Sequence, residues 1–164
     1  MTPDGDAPAV PVSRIRLILG ALFLFALVFA VYRPILPGSF LIDDHRLIGS
    51  DNPLVNGEFT PRSIWFQTDF ALTTIGWWVE RQFFGENPAG YHAVNMALQA
   101  LSAVLLWRLL ARLKLPGAWL AAAIFAVHPV CVNSVARVSE LKNTLSLPFF
   151  LLSFRAYLSY ETLA

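Results

Sequence analysis

The first long apolar run limits the fold of this chain more than any other feature. The run IRLILGALFLFALVFAVY, Ile15 to Tyr32, begins beside two basic residues, Arg14 and Arg16. A helix needs about 20 mainly apolar residues to cross a bilayer, and the residues PIL after Arg33 extend this run. A cleaved signal peptide has a shorter apolar region that ends in small residues. The run therefore predicts an uncleaved membrane span over residues 15–35.

Three further segments have the composition of membrane helices. They predict spans over residues 91–111, 116–132 and 141–160. The whole chain agrees with this interpretation, because 56% of its 164 residues are hydrophobic and only 14% are charged, whereas soluble domains have about a quarter charged. We therefore predict an all-α membrane protein with four transmembrane helices, preceded by a disordered cytoplasmic tail at residues 1–13.

The basic residues predict the orientation of these spans. Arg14 and Arg16 precede the first span, and Arg108, Arg112 and Lys114 lie between the second and third. Since Lys and Arg are enriched in cytoplasmic loops, both termini are expected in the cytoplasm and the loop 36–90 is expected outside. The expected location of this multi-pass protein is a bacterial inner membrane. Membrane lipids are expected partners. The net charge of +1 and the lack of a Lys/Arg cluster argue against nucleic acid.

The outer loop 36–90 combines aromatic and charged residues. Its aromatic members include Trp65, Phe66, Phe70, Trp77, Trp78, Phe83 and Phe84. Amphipathic helices with such residues lie in the plane of the membrane interface, so we expect one or two short amphipathic surface helices here. They form either an aromatic belt that anchors the loop or the wall of a site that meets lipid.

Polar residues recur at helical spacing within the second predicted span. His92, Asn95, Gln99 and Ser102 share one helix face. Such a stripe faces the interior of a bundle or a water-filled cavity. For Gln99 and Ser102, deeper in the membrane, we expect hydrogen bonds between helices. His92 and Asn95 lie at the outer mouth, where a role in substrate binding stays open.

A second outer segment carries both basic and acidic side chains. His128 lies at the end of the third predicted span, and Arg137, Glu140 and Lys142 follow within a short stretch. Basic groups at this level of a membrane can bind a phosphate. They can equally form a solvated face or pair with Glu140, and the solvated face is the favoured interpretation when the segment is taken alone.

The stretch FLIDDHRLIGSDNPLV, Phe40 to Val55, places two adjacent carboxylates just after the first span. A carboxylate near a low dielectric can act as a general base, and an adjacent pair can bind a hard cation. Asp residues are equally common as helix caps and in turns. Position along the chain does not decide between these roles for Asp43 and Asp44.

Four stretches together resemble one family. They are FLIDDHRLIGSDNPLV, GENPAGYHAVN (Gly85 to Asn95), FAVHPV (Phe125 to Val130) and VSELKNTLS (Val138 to Ser146). In this order and spacing they resemble the lipid-donor glycosyltransferases of the GT-C superfamily. More narrowly, they resemble the transmembrane and tetratricopeptide-repeat O-mannosyltransferases and their bacterial relatives.

The resemblance implies an enzyme that moves a sugar from a polyprenyl-phosphate donor to a protein or glycan acceptor on the outer face. Asp43 and Asp44 match the first-loop positions that supply the catalytic base, with a slight preference for Asp44. His92, Asn95, His128, Arg137, Glu140 and Lys142 match positions that bind substrate. A divalent cation, Mg or Mn, is implied as an option, with Asp44 and Glu140 as its ligands.

Four spans are fewer than the catalytic module of this superfamily contains, and no 34-residue repeat is visible. The resemblance therefore implies the N-terminal part of such an enzyme, whose activity needs a missing C-terminal half or a partner subunit. The competing interpretation is a non-catalytic membrane module that binds a partner subunit or a prenyl lipid.

Overall fold

A computed structural model of the chain describes residues 14–48 and 60–161, and every regular element in those two ranges is helical. The tail 1–13, part of the Phe40–Val55 stretch (49–55) and residues 162–164 lie outside the described residues. The helices are α1 (Arg14–Tyr32), α2 (Ile42–Ile48), α3 (Pro61–Gln67), α4 (Ala71–Phe84), α5 (Pro88–Arg112), α6 (Ala118–Ala126), α7 (Val132–Ala136) and α8 (Leu141–Glu161). Short 3-10 turns cover Arg33–Ile35, Pro129–Cys131 and Val138–Glu140.

The apolar helices identify a membrane protein with two or three candidate spans in the described part of the chain. Arg14–Ile35 and Pro88–Arg112 are each long and apolar enough to cross a bilayer. Ala118–Ala126 and Pro129–Ala136 reach that length only as a pair bent by 44°. Helix α8 is not among the candidates, and it contains Lys142 and Arg155. The fourth predicted span therefore stays a prediction.

Helix α5 is the centre of the bundle. Asn87 caps its first turn by accepting a hydrogen bond from the backbone N–H of Ala89, and Pro88 occupies the first helical position. Helices α1, α4, α6, α7 and α8 all pack against α5. Small side chains such as Ala100 and Ala103 face the equally small Ala122 of α6 in the main core. These small residues let the helix backbones approach closely.

The third predicted span is interrupted at His128 and Pro129. Helix α6 ends at Ala126, and the His128 Nδ1 atom accepts a hydrogen bond from the backbone N–H of Val130 at 3.2 Å. Pro129 has no N–H to continue the helix. The bend turns the chain into α7, so the apolar run forms a broken pair rather than the straight helix predicted over 116–132.

In its described parts, 36–48 and 60–90, the outer loop forms three α-helices, α2, α3 and α4, instead of the one or two expected. Thr60 and Ser63 cap the start of α3 reciprocally. Helix α4 buries Thr73, Trp77 and Glu80 against the bundle. Its opposite face exposes apolar side chains, namely Leu72, Val79 and Phe83. Helices in this loop were predicted and are present, their position at the membrane surface stays a prediction, and α4 combines a buried face with exposed apolar groups.

Candidate functional site

The backbone of residues 137–139, between α7 and α8, is held by side chains from three different helices. Asn95 of α5 donates to the Arg137 carbonyl at 3.0 Å, and Trp77 of α4 donates to the Val138 carbonyl at 3.2 Å. Asp44 of α2 accepts from the backbone N–H of Ser139 at 2.7 Å. Thr144 donates to the Asn95 side-chain oxygen at 2.8 Å and orients its amide. Elements that are distant along the chain therefore position this segment.

Asp44 has a structural role that involves both of its carboxylate oxygens. It is fully buried, with 0% exposure. While Oδ1 accepts from Ser139, Oδ2 accepts from the backbone N–H of Leu41 at 3.0 Å, at the start of α2. The second bond is the reciprocal half of a capping box. Helix capping, one of the roles left open from the sequence, therefore applies to Asp44.

Asp43 points away from this buried network. Its side chain is 56% exposed and forms an ion pair with Arg137. Both residues line an open pocket of about 530 Å³. The pocket wall is built from α2, the end of α3 and its connection to α4, α4 itself, and the chain from Arg137 to the start of α8. Its lining residues are Asp43, Arg46, Leu47, Gln67, Thr68, Asp69, Phe70, Thr74, Trp77, Arg137, Ser139, Glu140 and Lys142. We call it the Asp43–Arg137 pocket.

Opposite charges line the Asp43–Arg137 pocket. Lys142 lies 4.0 Å from the Glu140 carboxylate, and its ammonium is 5.5 Å from the centre of the Phe70 ring. Arg46 adds a third basic group to the wall. Glu140 also accepts a hydrogen bond from the Asn143 side chain. The pocket thus combines three carboxylates, Asp43, Asp69 and Glu140, with three cations, and its basic groups can bind an anion such as a phosphate.

Three of the six predicted substrate-binding residues do not line this pocket. His92 is buried, and neither of its ring nitrogens has a hydrogen-bond partner in the described residues. His128 is exposed and caps the 3-10 turn at Pro129. Asn95 contributes indirectly, since it holds the Arg137 backbone. The structure therefore brings Asp43, Arg137, Glu140 and Lys142 together and leaves both histidines outside.

The deeper polar residues of α5 differ from each other. Gln99 donates to the carbonyls of Phe125 and Ala126 at 3.3 and 3.4 Å. The expected hydrogen bond between helices is therefore confirmed for Gln99. Ser102 instead donates to the Leu98 carbonyl of its own helix at 2.8 Å, so the same expectation is wrong for Ser102. A serine hydroxyl readily reaches the carbonyl one turn back.

Comparison with known proteins identifies relatives. Tmtc1 of Drosophila melanogaster, a protein O-mannosyl-transferase, is 33% identical over 157 residues, covering 83% of this chain and 17% of the relative. The chain is a homologue of the protein O-mannosyl-transferases. TMTC2 of Mus musculus is 30% identical, covering 82% of this chain and 18% of the relative. A Caenorhabditis elegans member is 28% identical, covering 82% of this chain and 22% of the relative.

These matches confirm the resemblance to the O-mannosyltransferases. The chain spans about a fifth of the length of the curated relatives it matches. No protein-family model matches the chain, and no solved structure matches it significantly.

The donor groups of this O-mannosyl-transferase homologue decide whether the predicted ligands, Asp44 and Glu140, fit a divalent cation. Within residues 14–48 and 60–161, no three His, Cys, Asp or Glu side chains are grouped as a metal site. Asp44, one of the two ligands considered from the sequence, already uses both oxygens for backbone N–H groups. Asp44 therefore does not offer Mg²⁺ or Mn²⁺ an oxygen that is free of hydrogen bonds, and the pair of Asp44 and Glu140 does not fit such an ion.

Sequence reasoning missed Glu80. It is 6% exposed, and its Oε2 atom has no hydrogen-bond partner in the described residues. Burial raises the pKa of Glu80 from 4.5 to about 8. The sequence contained a signal, since Thr73, Trp77, Glu80 and Phe84 recur at helical spacing and share one face. The aromatic residues around Glu80 instead predicted that this helix lies at the membrane interface.

Proposed function

We propose that this chain forms part of a membrane glycosyltransferase that moves a sugar from a polyprenyl-phosphate donor to a hydroxyl group of a protein or glycan on the non-cytoplasmic face. In a bacterial inner membrane with both termini cytoplasmic, that face is periplasmic. One observation carries the proposal. It is the ion pair between Asp43 and Arg137 at the wall of the open pocket. The names of the relatives support the same reaction class.

In this proposal Asp43 is the general base. Its exposed carboxylate accepts the proton of the acceptor hydroxyl while that oxygen forms a bond to the anomeric carbon of the sugar. The bond between this carbon and the phosphate oxygen breaks at the same time, and its electron pair leaves with the lipid phosphate. Asp43 replaces Asp44 as the favoured base, because Asp44 is buried and both of its oxygens accept backbone hydrogen bonds.

Arg137 and Lys142 stabilise the leaving phosphate in this proposal. Hydrogen bonds between cations and phosphate oxygens are stronger than those between neutral groups. An incoming phosphate competes with Asp43 for Arg137, which releases the Asp43 carboxylate toward the acceptor. The Asp43–Arg137 pair is then the resting state of the site. Asp44 acts as a positioning residue, since it connects the start of α2, which carries Asp43, to the backbone beside Arg137.

The test is transfer of labelled sugar from a polyprenyl-phosphate donor by the 164-residue chain in nanodiscs. Asp43→Asn should reduce turnover at least a hundredfold, as expected for loss of a general base. Glu86→Gln is the matched control, because Glu86 forms an exposed ion pair with Arg81, at 3.1 Å, outside the pocket. Near-normal turnover by Asp43→Asn contradicts the assignment. No transfer by a well-folded chain means that the chain is an incomplete or regulatory piece, and the same variants are then compared after the missing C-terminal half or partner subunit is added.

A further inference from the structure

An apolar cavity lies on the other side of α4, apart from the Asp43–Arg137 pocket. It has a volume of about 360 Å³ and is formed where α4 meets α5 and α8. Its wall includes Phe83 and Phe84 of α4, Val94 and Leu98 of α5, and Leu141 and Leu145 of α8. The two cavities share no lining residue. We call this one the Glu80 cavity.

Glu80 supplies the one ionisable group in the wall of this cavity. It is 94% buried (6% exposed), and its Oε2 atom lacks a partner among the described residues. Burial raises the pKa of Glu80 to about 8, so the carboxyl is mostly protonated at neutral pH. A protonated carboxyl has an O–H donor, which costs free energy when it is buried without an acceptor.

The charged and titratable groups near Glu80 have other contacts. Arg81, the next residue of α4, donates to the Gly85 carbonyl at 3.1 Å and pairs with Glu86. The Tyr91 hydroxyl of α5 donates to the same Gly85 carbonyl at 2.8 Å. Helix α8 contributes only the apolar Leu141 and Leu145 to the cavity. A ligand that carries a negative charge would therefore meet no cation in this wall.

The rim of the Glu80 cavity indicates where its occupant comes from. Val79 and Phe83 are apolar, line the cavity and are 40% and 79% exposed. In a chain with membrane spans, such a rim on a surface helix contacts lipid. The wall favours an apolar chain, and the Glu80 donor favours a neutral oxygen attached to it. A glycerolipid acyl chain has both, whereas a prenyl phosphate has charged oxygens beside its chain.

We propose that the Glu80 cavity binds one acyl chain of a glycerolipid, whose ester carbonyl accepts a hydrogen bond from the Glu80 carboxyl. This site is separate from the proposed sugar transfer and does not depend on it. Lipid bound here lies between α4 and the α5–α8 pair, so it stabilises the contact of the surface helix with the bundle.

The experiment compares two lipids that differ only at the carbonyl. The delipidated 164-residue chain in detergent is titrated at pH 6.5 with the zwitterionic dioleoyl phosphatidylcholine or with its diether analogue, and bound lipid is counted by native mass spectrometry. We expect the diester to bind about five- to tenfold more tightly, as one hydrogen bond predicts. Glu80→Gln keeps an N–H donor and should keep the preference. Glu80→Leu should lose it and still bind both lipids.

Three further arms make the test decisive. Leu98→Trp fills the cavity and should lose both lipids, whereas Leu101→Trp, at an exposed position of α5 outside the cavity wall, should not. At pH 9.5 the ester preference should disappear in the unmodified chain and persist in Glu80→Gln. Equal binding of diester and diether lipids by the unmodified chain overturns the proposal. The proposal is also overturned if a diether phosphatidylethanolamine binds more tightly than the diester lipid, because that result would identify a site for an amine.

Discussion

The buried carboxylate of Asp44 accepts a hydrogen bond from the backbone N–H of Ser139 at 2.7 Å, although 95 positions separate the two residues in the chain. Its neighbour Asp43 forms an ion pair with Arg137, only two residues before Ser139. The two adjacent carboxylates therefore contact the same segment in different ways. One positions its backbone, and the other faces the open pocket beside its guanidinium.

This difference predicts that the two Asp→Asn substitutions have different effects. Asp44→Asn leaves one carbonyl oxygen to serve two backbone donors, so a buried N–H loses its partner at a cost of about 1–3 kcal/mol. Asp43→Asn removes an exposed ion pair, which contributes about 0–1 kcal/mol. Thermal unfolding in detergent should show a clear loss of stability for Asp44→Asn only. Equal unfolding temperatures for the two variants would contradict the positioning role of Asp44.

A second prediction concerns the binding of donor phosphate. Arg137→Ala should weaken binding of a polyprenyl phosphate about 10- to 100-fold, because hydrogen bonds to a charged group contribute about 1.5–3 kcal/mol. Arg62→Ala is the control, since Arg62 is an exposed arginine of the outer loop 36–90 that does not line the pocket. Binding measured by microscale thermophoresis at two salt concentrations checks both variants. An unchanged affinity of Arg137→Ala for polyprenyl phosphate would show that Arg137 does not bind the phosphate and is part of a solvated face.

Asn95 allows a third prediction about how the site is built. Asn95→Leu removes the donor to the Arg137 carbonyl and the acceptor for Thr144. The Arg137 carbonyl then loses this donor, while the Thr144 hydroxyl keeps its bond to the Leu141 carbonyl at 3.2 Å, so we expect a loss of about 2 kcal/mol together with weaker phosphate binding. Ser102→Ala should leave both properties almost unchanged, because Ser102 bonds only within its own helix. If Asn95→Leu is as stable as the unmodified chain and binds phosphate with full affinity, Asn95 does not position the Arg137 backbone.

Much of the helical architecture follows from sequence pattern. The spans predicted over 15–35 and 91–111 correspond to Arg14–Ile35 and Pro88–Arg112, because a long apolar run has few alternatives to a helix in lipid. The break at Pro129 was less predictable, since composition identifies apolar length and not a bend. The same holds for the end of α4, which depends on Gly85 with a φ of +56°.

The sequence predicted which residues form the site, but it did not predict their positions relative to one another. Asp43, Arg137, Glu140 and Lys142 were all identified from the sequence, but adjacency in the chain does not reveal which carboxylate is buried. That depends on the packing of α2 against the 3-10 turn at Val138–Glu140. His92 was expected at the substrate site because it lies at the outer mouth of the second predicted span and within the family-like stretch Gly85 to Asn95. Burial within the bundle places it outside the pocket.

A fourth prediction tests the packing of α1 against α5. A Cβ atom added at Gly20 would lie 2.5 and 2.8 Å from two ring carbons of Trp107. Gly20→Ala should therefore cost about 1–3 kcal/mol through overpacking, seen as a lower unfolding temperature. The double variant Gly20→Ala with Trp107→Leu should destabilise less than the sum of the two single changes. Strict additivity would show that these two residues do not contact each other.

The last prediction uses the pH dependence of stability that Glu80 imposes. Its pKa is about 8 in the folded chain against an ordinary value of 4.5. Below pH 4.5 the carboxyl is protonated in both the folded and the unfolded state. Between pH 4.5 and 8 the unfolded state releases the proton while the folded state retains it. Stability therefore falls as the pH rises, by at most about 1.4 kcal/mol per pH unit, and this effect levels off above pH 8.

Glu80→Gln removes this dependence, since the amide does not titrate. We expect the variant to unfold at a higher temperature than the unmodified chain, with a difference that grows from pH 5 to pH 8 and then stays constant. Glu86→Gln, at an exposed carboxylate just past α4, should give a curve parallel to that of the unmodified chain. If Glu80→Gln also gives a parallel curve, Glu80 ionises normally and is not buried beside the apolar cavity. A difference that grows only between pH 5 and pH 8, and persists unchanged above pH 8, would place the proton on the carboxyl that the lipid proposal requires to be neutral.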